Sequence, residues 1–361
     1  MTFDPVTPYN NLPPLPPKAQ VETSAVLKKA IGAARALAEL KGLGQTIPNQ
    51  AMLVDSLVLQ EAKDSSAIES IFTTNDVLFR SFAAKTSHID AATKEVLRYR
   101  EALWEGFRTL KVRPVLSTNL LVDIVQKIKE NSAGIRNVPG TAIANGTTGE
   151  IIYTPPDGEE VLHDKLANLE QFMHADDAME PLVKLALIHY QFEAIHPFTD
   201  GNGRTGRVLG ILFLTYKGLL DLPVLYLSRY IIEHKHDYYV LLRNVTEKGA
   251  WEPWILYMLD AVEQMSIMTR GRIVAIRALM GQTMERAKKE LPTRVYSKEL
   301  IELLFRQPYT KSRFLVEAGI AERKTASAYL QELEHIGVLR AQKMGTEVLY
   351  LNTGLYDLLS Q

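Results

Sequence analysis

From Thr23 to about Lys111 apolar residues recur with the helical period. The stretches "SAVLKKAIGAARALAELKGLG" and "AMLVDSLVLQEAKDSSAIESI" each carry a one-sided apolar stripe, the first closing on paired glycines. An all-helical front end is predicted. After "NLLVDIVQKIKENSAG" the pattern changes. In "NVPGTAIANGTTGEIIYTPP" β-branched residues flank Asn145-Gly146 and Thr148-Gly149 and two prolines close the run, which predicts a lone β-hairpin. Helices resume at about His163. "PLVKLALIHYQFEAI" leads into a glycine-rich segment, and "VLGILFLTYKGLL", apolar nearly all round, leaves it as a helix buried in a bundle. A helical run from Trp251 to about Glu290 ends at "LPTR", a domain boundary. The tail then gives three short helices and a strand-turn-strand, the order of a winged helix-turn-helix. Prolines at 5, 8, 13, 14, 16 and 17 keep the first twenty residues extended, as an arm lying on the body or a ligand of SH3 type.

Composition narrows the function classes. A chain of 361 residues holds two or three compact units. Lys+Arg of 41 against Asp+Glu of 42 leaves a formal charge of -1, so nothing global points to nucleic acid or an anionic membrane. The absence of cysteine removes thiol catalysis, disulfide scaffolding and Cys-based metal sites, and fits a reducing compartment. No secretory signal opens the chain, and Lys217, Asp221 and Pro223 interrupt the most apolar stretch. A soluble, cytoplasmic protein is expected.

The chemistry concentrates in "IHPFTDGNGRTGR", residues 195–207. Gly201, Gly203 and Gly206 spell a dinucleotide fingerprint, but that motif needs a strand before its first glycine, and a helix-patterned segment stands there. Nor does Asp221 follow a second strand; it precedes the strand-like "LPVLYL". No Gly-Lys-Ser/Thr follows, which excludes a Walker A loop. Helix, histidine, Gly-rich loop and a new helix starting near Arg204 suit another purpose: the loop amides and the helix's positive end form an anion nest. Arg204 and Arg207, three apart, can present forked donors to a polyphosphate. Asp200 can hold Mg²⁺, which takes few carboxylates and many phosphate oxygens. His196 has the ordinary pKa of a general base acting on a hydroxyl.

His196-Pro-Phe-Thr-Asp200-Gly-Asn202-Gly-Arg204-Thr-Gly-Arg207 resembles the signature of the Fic (filamentation induced by cAMP) family, HPFx[D/E]GNGRxxR, with every specified position filled. The resemblance implies a mainly α fold that transfers AMP from ATP to a Ser, Thr or Tyr hydroxyl of a protein and releases pyrophosphate. It implies that His196 deprotonates the hydroxyl and Asp200 holds Mg²⁺. Residues 201–207 (Gly201, Asn202, Gly203, Arg204, Thr205, Gly206 and Arg207) would bind the ATP phosphates. Doc-type kinases resemble "ANK" where this chain has Gly201-Asn202-Gly203, so adenylylation is the implied reaction.

Three further segments resemble family features. Residues 143–156 resemble the flap that pairs with a target backbone, with Ile151, Ile152 and Tyr153 as contacts. "HDYYVLLRNVTEKG" resembles the helix closing over adenine, with Tyr238 and Tyr239 as candidates and Thr246 where some relatives carry asparagine. "DSSAIESI" resembles the inhibitory motif [S/T]-x-x-x-E-[G/N]: Ser65 and Glu69 match, Ser70 departs, and Glu69 would pair with Arg207 in place of the γ-phosphate. The organisation expected is a helical Fic-associated region over 1–111 with the inhibitory helix near 61–72, a catalytic core over 112–290, and a winged helix over 292–361. The resulting reading is a self-restrained nucleotidyltransferase acting on a target protein or on itself, with de-AMPylation as a reverse activity. The alternative is a nucleotide-sensing regulator that binds DNA. The recognition segment's Glu322, Glu332 and Glu334 offset Arg323 and Lys324, which favours a protein contact or a homodimer over DNA.

Overall fold

The computed structural model describes residues 3–45, 50–84, 89–146, 148–344 and 347–360. Four helices come first: α1 (Ser24–Gln45), α2 (Gln50–Ile68), α3 (Asn75–Ala84) and α4 (Ala91–Val112). The glycines expected to stop α1 do not; it runs through Gly42 and Gly44 because its other face is held along a later long helix. Asp90 caps α4 by accepting from the Thr93 N–H at 2.8 Å, and Ser117 caps α5 (Thr118–Lys129) the same way through Leu120. The hairpin follows as β1 (Ile143–Ala144) and β2 (Ile151–Tyr153), antiparallel, with Ile143 opposite Tyr153.

The core is a stack of helices around α7 (Pro181–Ile195) and α8 (Asn202–Tyr216), with α6 (Glu159–His174) against α7 and both α4 and α5 against α8. Helix α6 begins earlier than expected, because Gly158 turns the chain and Glu159 and Glu160 suit a first turn. As the pattern required, α8 is buried all round from Val208 to Leu214. "LPVLYL" is not a strand. Its Val224, Leu225 and Tyr226 cover the core from an irregular connection that leads into α9 (Leu227–Glu233) and α10 (Lys235–Lys248). Helix α11 (Trp251–Glu290), 40 residues and so about 60 Å long, carries α1, α7, α9 and α10 on its first half.

Beyond it the chain forms α12 (Lys298–Leu304), β3 (Tyr309–Thr310), α13 (Ser312–Glu317), α14 (Arg323–His335), β4 (Arg340–Met344), β5 (Glu347–Leu351) and α15 (Thr353–Ser360). The strands make an antiparallel sheet in the order β3-β5-β4. This unit touches the front end: Ser56 Oγ donates to the Arg306 carbonyl at 2.8 Å, and the Tyr309 hydroxyl to Asp76 at 2.5 Å. The Pro-rich arm lies extended on the body, burying Leu12 and Leu15 and exchanging hydrogen bonds between Leu15 and the Asn168 amide. Among the described residues no helix is long and apolar enough to cross a membrane.

Candidate active site

The fold brings the end of α7 and the start of α8 together with the end of α2. Helix α7 closes on His196, whose N–H donates to the Phe192 carbonyl at 3.0 Å while its backbone is left-handed, φ 49°. That conformation costs a non-glycine residue about 1–2 kcal/mol. Arg136 stabilises it: its Nε donates to the His196 carbonyl at 2.8 Å, its Nη2 reaches the Pro156 carbonyl beyond the hairpin, and its own N–H donates to Pro197. Burial pushes the His196 imidazole down to about 4, against the opposing pull of the Glu193 carbonyl, so the ring is neutral at pH 7. Nδ1 is buried with no hydrogen bond of good geometry among the described residues.

Gly201, at φ 85°, caps α8 without any side chain, and α8 begins at Asn202, two residues before the expected start. The Thr205 N–H makes the first intrahelical bond, to Gly201, so the amides before it open on the loop. Asn202 was expected to bind phosphate. Its side chain instead bridges Phe198 in both directions, accepting from its N–H at 2.8 Å and donating to its carbonyl at 2.7 Å, and so clamps the loop closed. Thr205 and Gly206 also turn away from the loop. Thr205 is fully buried, and a Cβ on Gly206 would lie 2.8 Å from Glu193 Oε1 and 2.9 Å from the Phe192 ring, so this glycine serves the α7–α8 packing. On a helix with one turn per ~3.6 residues, Gly203, Arg204 and Arg207 fall within about 100° of one another and Thr205 lies on the opposite side, while Gly206 borders that face and is taken up by α7.

That face is occupied by Glu69. Its Oε2 accepts from Arg204 Nε at 2.7 Å and its Oε1 from Arg207 Nη2 at 2.8 Å. Ser65 completes the clamp, its hydroxyl accepting from Arg207 Nε at 2.7 Å and its carbonyl from Nη2 at 2.9 Å. Gly203 makes room, since a Cβ there would stand 2.7 Å from Glu69 Oε1. Glu69 was expected on the helix beside Ser65 and paired with Arg207; the Arg207 pair forms and Arg204 joins it. Helix α2 ends at Ile68, Glu69 sits in the following turn, and Ser70 is left-handed at φ 63°. That turn swings the carboxylate between both arginines. It also explains glycine or asparagine after the glutamate, the residues that tolerate this conformation. Burial opposes the Arg207 charge, but Glu69 and the neighbouring Tyr99 and Glu193 more than compensate and keep it protonated.

Asp200 stands at the rim with 61% of its side chain exposed, its Oδ2 2.6 Å from Lys129 Nζ. Burial works against its charge; Lys129 and Arg204 outweigh it and hold its carboxyl below the usual range. A single rim carboxylate is enough protein ligand for Mg²⁺ when its other ligands are phosphate oxygens and water, so Asp200 fits that role and the arginines would act on the phosphates. Among the described residues no three acids or histidines cluster as a protein-only metal cage.

Four functional neighbours were not legible in the sequence. Lys129 bridges Asp200 and Glu95, and Glu95 in turn accepts from Arg204. Arg136 is the third. Glu193, whose carboxyl burial pushes up to about 7, faces Arg207 and is the fourth. The flap residues Ile151 and Ile152 are half-buried on the hairpin, while Tyr153 is committed elsewhere: its hydroxyl donates to the Ala194 carbonyl at 2.7 Å and its ring stacks on Phe3. Tyr238 lies within electrostatic reach of Arg207 but has almost no exposed surface. It is buried, bonded to His189 Nε2 at 2.8 Å and packed on Trp254, whereas Tyr239, about 100° further round α10, is 48% exposed. Thr246 bonds the Tyr190 hydroxyl at 2.9 Å.

Residues 115–214 match the Fic/DOC family, residues 27–108 the Fic/DOC family N-terminal region, and residues 279–355 the C-terminal domain described as protein adenylyltransferase SoFic-like. The chain belongs to the Fic/DOC family. Its Fic core is 34% identical over 110 residues to protein adenylyltransferase fic-1 of Caenorhabditis briggsae, which is 29% of this chain and 20% of that protein. It is 32% identical over 111 residues to protein adenylyltransferase Fic of Culex quinquefasciatus, 30% of this chain and 21% of the relative. The matched segment thus spans about a fifth of the length of these relatives. The Fic fold extends further than the sequence likeness. A Fic family protein from Desulfovibrio desulfuricans superposes with a TM-score of 0.59 at 17% identity over 93% of this chain and 98% of that one. Caenorhabditis elegans Fic-1 gives 0.54 at 20% identity over 71% and 74%.

Proposed function

We propose that this Fic protein is a protein adenylyltransferase restrained by its own Glu69. One observation carries the reading: a neutral, half-buried His196 is joined by a short loop to the open start of α8, where Arg204 and Arg207 already hold a carboxylate as they would hold a phosphate. In the reaction the imidazole takes the proton of a Ser, Thr or Tyr hydroxyl. The hydroxyl oxygen bonds the α-phosphorus of ATP, the bond from that phosphorus to the bridging oxygen breaks, and pyrophosphate leaves. Arg204 and Arg207 neutralise the β/γ end, the α8 amides donate to phosphate oxygens, and Mg²⁺ held by Asp200 would supply further charge neutralisation. Asn202 acts indirectly, by fixing the loop. The hairpin presents the target backbone, and Tyr239 is the better placed of the two tyrosines to meet the adenine.

Glu69 and a γ-phosphate need the same donors, so the two exclude each other. Incubation with α-labelled ATP and Mg²⁺ tests both parts. Glu69→Gly should label itself or an added partner faster than wild type, and His196→Ala in that background should lower labelling about 10²–10⁴-fold. No label in wild type or Glu69→Gly with any target defeats the transferase reading. Equal rates in the two defeat the restraint.

A further inference from the structure

Asp200, the carboxylate suited to Mg²⁺, already has a cation of the chain beside each oxygen. Lys129 Nζ lies 2.6 Å from Oδ2, and Arg204 Nη2 lies 3.7 Å from Oδ1. A lone ion pair at a rim is loosely held. Lys129 is fixed more firmly. It is the last residue of α5, its ammonium also lies 2.8 Å from Glu95 Oε1, and that same oxygen accepts from Arg204 Nη1 at 2.5 Å. Its stem runs past Gly201, where an added Cβ would stand 3.5 Å from both Cγ and Cδ. The lysine is 21% exposed although the carboxylate it covers is 61% exposed.

This placement bears on how a metal enters. Mg²⁺ bonds carboxylate oxygens at about 2.0–2.1 Å, and an ammonium seated on the same oxygen repels it from short range. The neighbouring charges offer no compensation, because Asp200 and Glu95 are matched by Lys129 and Arg204. A triphosphate changes that balance by bringing its own negative charge to the loop. We propose that Lys129 bars a divalent cation from Asp200 in the nucleotide-free protein, so that the metal enters only together with the triphosphate. The proposal rests on Asp200 as the metal carboxylate of the adenylyltransferase reading, and it adds an order of loading to that reading. Free Mg²⁺ does not prime the site.

Electron paramagnetic resonance titration of the full chain with Mn²⁺, which favours the same oxygen ligands as Mg²⁺, tests this without any transfer step. Without nucleotide, Lys129→Met and Lys129→Gln should each bind Mn²⁺ about tenfold or more tightly than wild type, and adding Asp200→Asn to either should abolish the gain. Thermal melting confirms that each variant is folded. Equal Mn²⁺ affinity in wild type and both lysine variants overturns the proposal, and so does a gain that survives Asp200→Asn. A second arm uses α,β-methylene-ATP, whose α–β link cannot be broken, in the Glu69→Gly background. There Mn²⁺ should bind about tenfold or more tightly than without nucleotide, and Asp200→Asn should weaken it. If Asp200→Asn has no effect in the nucleotide complex, Asp200 is not the metal carboxylate and both readings of it fall. If it weakens Mn²⁺ there while the lysine variants match wild type without nucleotide, only the barring role of Lys129 falls.

Discussion

Arg136 offers the sharpest test of how the fold sets up His196. Replacing it by methionine removes every side-chain donor and keeps the backbone N–H on Pro197. The side chain is 2% exposed and makes two principal charged hydrogen bonds, to the His196 and Pro156 carbonyls, with a longer contact to Ile195 at 3.4 Å and an ion pair to Asp157 at 3.5 Å. Charged hydrogen bonds are worth about 1.5–3 kcal/mol each, which gives about 3–6 kcal/mol for the principal two. Burial disfavours the Arg136 charge and lowers its pKa, so part of that is offset when the charge goes, and a loss of about 3 kcal/mol is expected. The larger effect should be catalytic. Without the guanidinium the His196 carbonyl is free, the left-handed cap can relax, and a displacement of about 1 Å at a reacting group can cost about 10²-fold in rate. Self-labelling of Arg136→Met in the Glu69→Gly background, normalised to folded protein by thermal melting, measures both. Arg136→Lys, which keeps the charge on a single donor nitrogen, should recover part of the rate. A lowered melting temperature with an unchanged labelling rate per folded molecule would show that Arg136 merely packs, and would refute its positioning of the base.

Ser70→Gly should stabilise the chain by about 1 kcal/mol, because glycine holds φ 63° without the side-chain penalty, and should slow self-labelling by steadying Glu69; a lower melting temperature would contradict this. Glu61, buried and accepting from Tyr99 and Ser228, has its carboxyl pushed up to about 7 by burial, against the pull of Ser228 and Arg207. The folded state thus binds this proton more tightly than the unfolded one, so the contribution is complete below about pH 4.5 and is lost as pH rises to about 7. Glu61→Gln should therefore flatten the fall in melting temperature across that window, and an identical pH profile in wild type and variant would rule the group out. Tyr238→Phe should cost about 1 kcal/mol of stability through the lost His189 bond and leave the KM for ATP alone, whereas Tyr239→Ala should raise KM; the reverse pattern would restore Tyr238 to the nucleotide site.

What could be read from the chain was local. The histidine-loop-helix unit, the buried α8, the hairpin and the long α11 all rest on neighbours within one or two turns, and each formed where the pattern put it. What could not be read was long-range and charged. Glu95, Lys129 and Arg136 look in sequence like ordinary solvent-facing residues, and only folding brings Glu95 and Glu69, 109 and 135 positions away, onto Arg204. A one-residue rotation separates Tyr238 from Tyr239, and helical periodicity without a known neighbour cannot choose between two adjacent aromatics. The inhibitory helix was drawn to about residue 72, but α2 ends at Ile68, and the turn that follows lets Glu69 meet two arginines.

Gly203 leaves a niche that Glu69 fills from within the same chain. On the restraint proposed above, Glu69 would be a tethered competitor whose local concentration is set by the geometry of α2 and not by the cell. An inhibitor of this kind cannot be diluted or washed away, and raising ATP opposes it only as far as the turn after Ile68 opens. The restraint is then a local stability, and anything that loosens the last turn of α2 acts as an activator without touching the nucleotide.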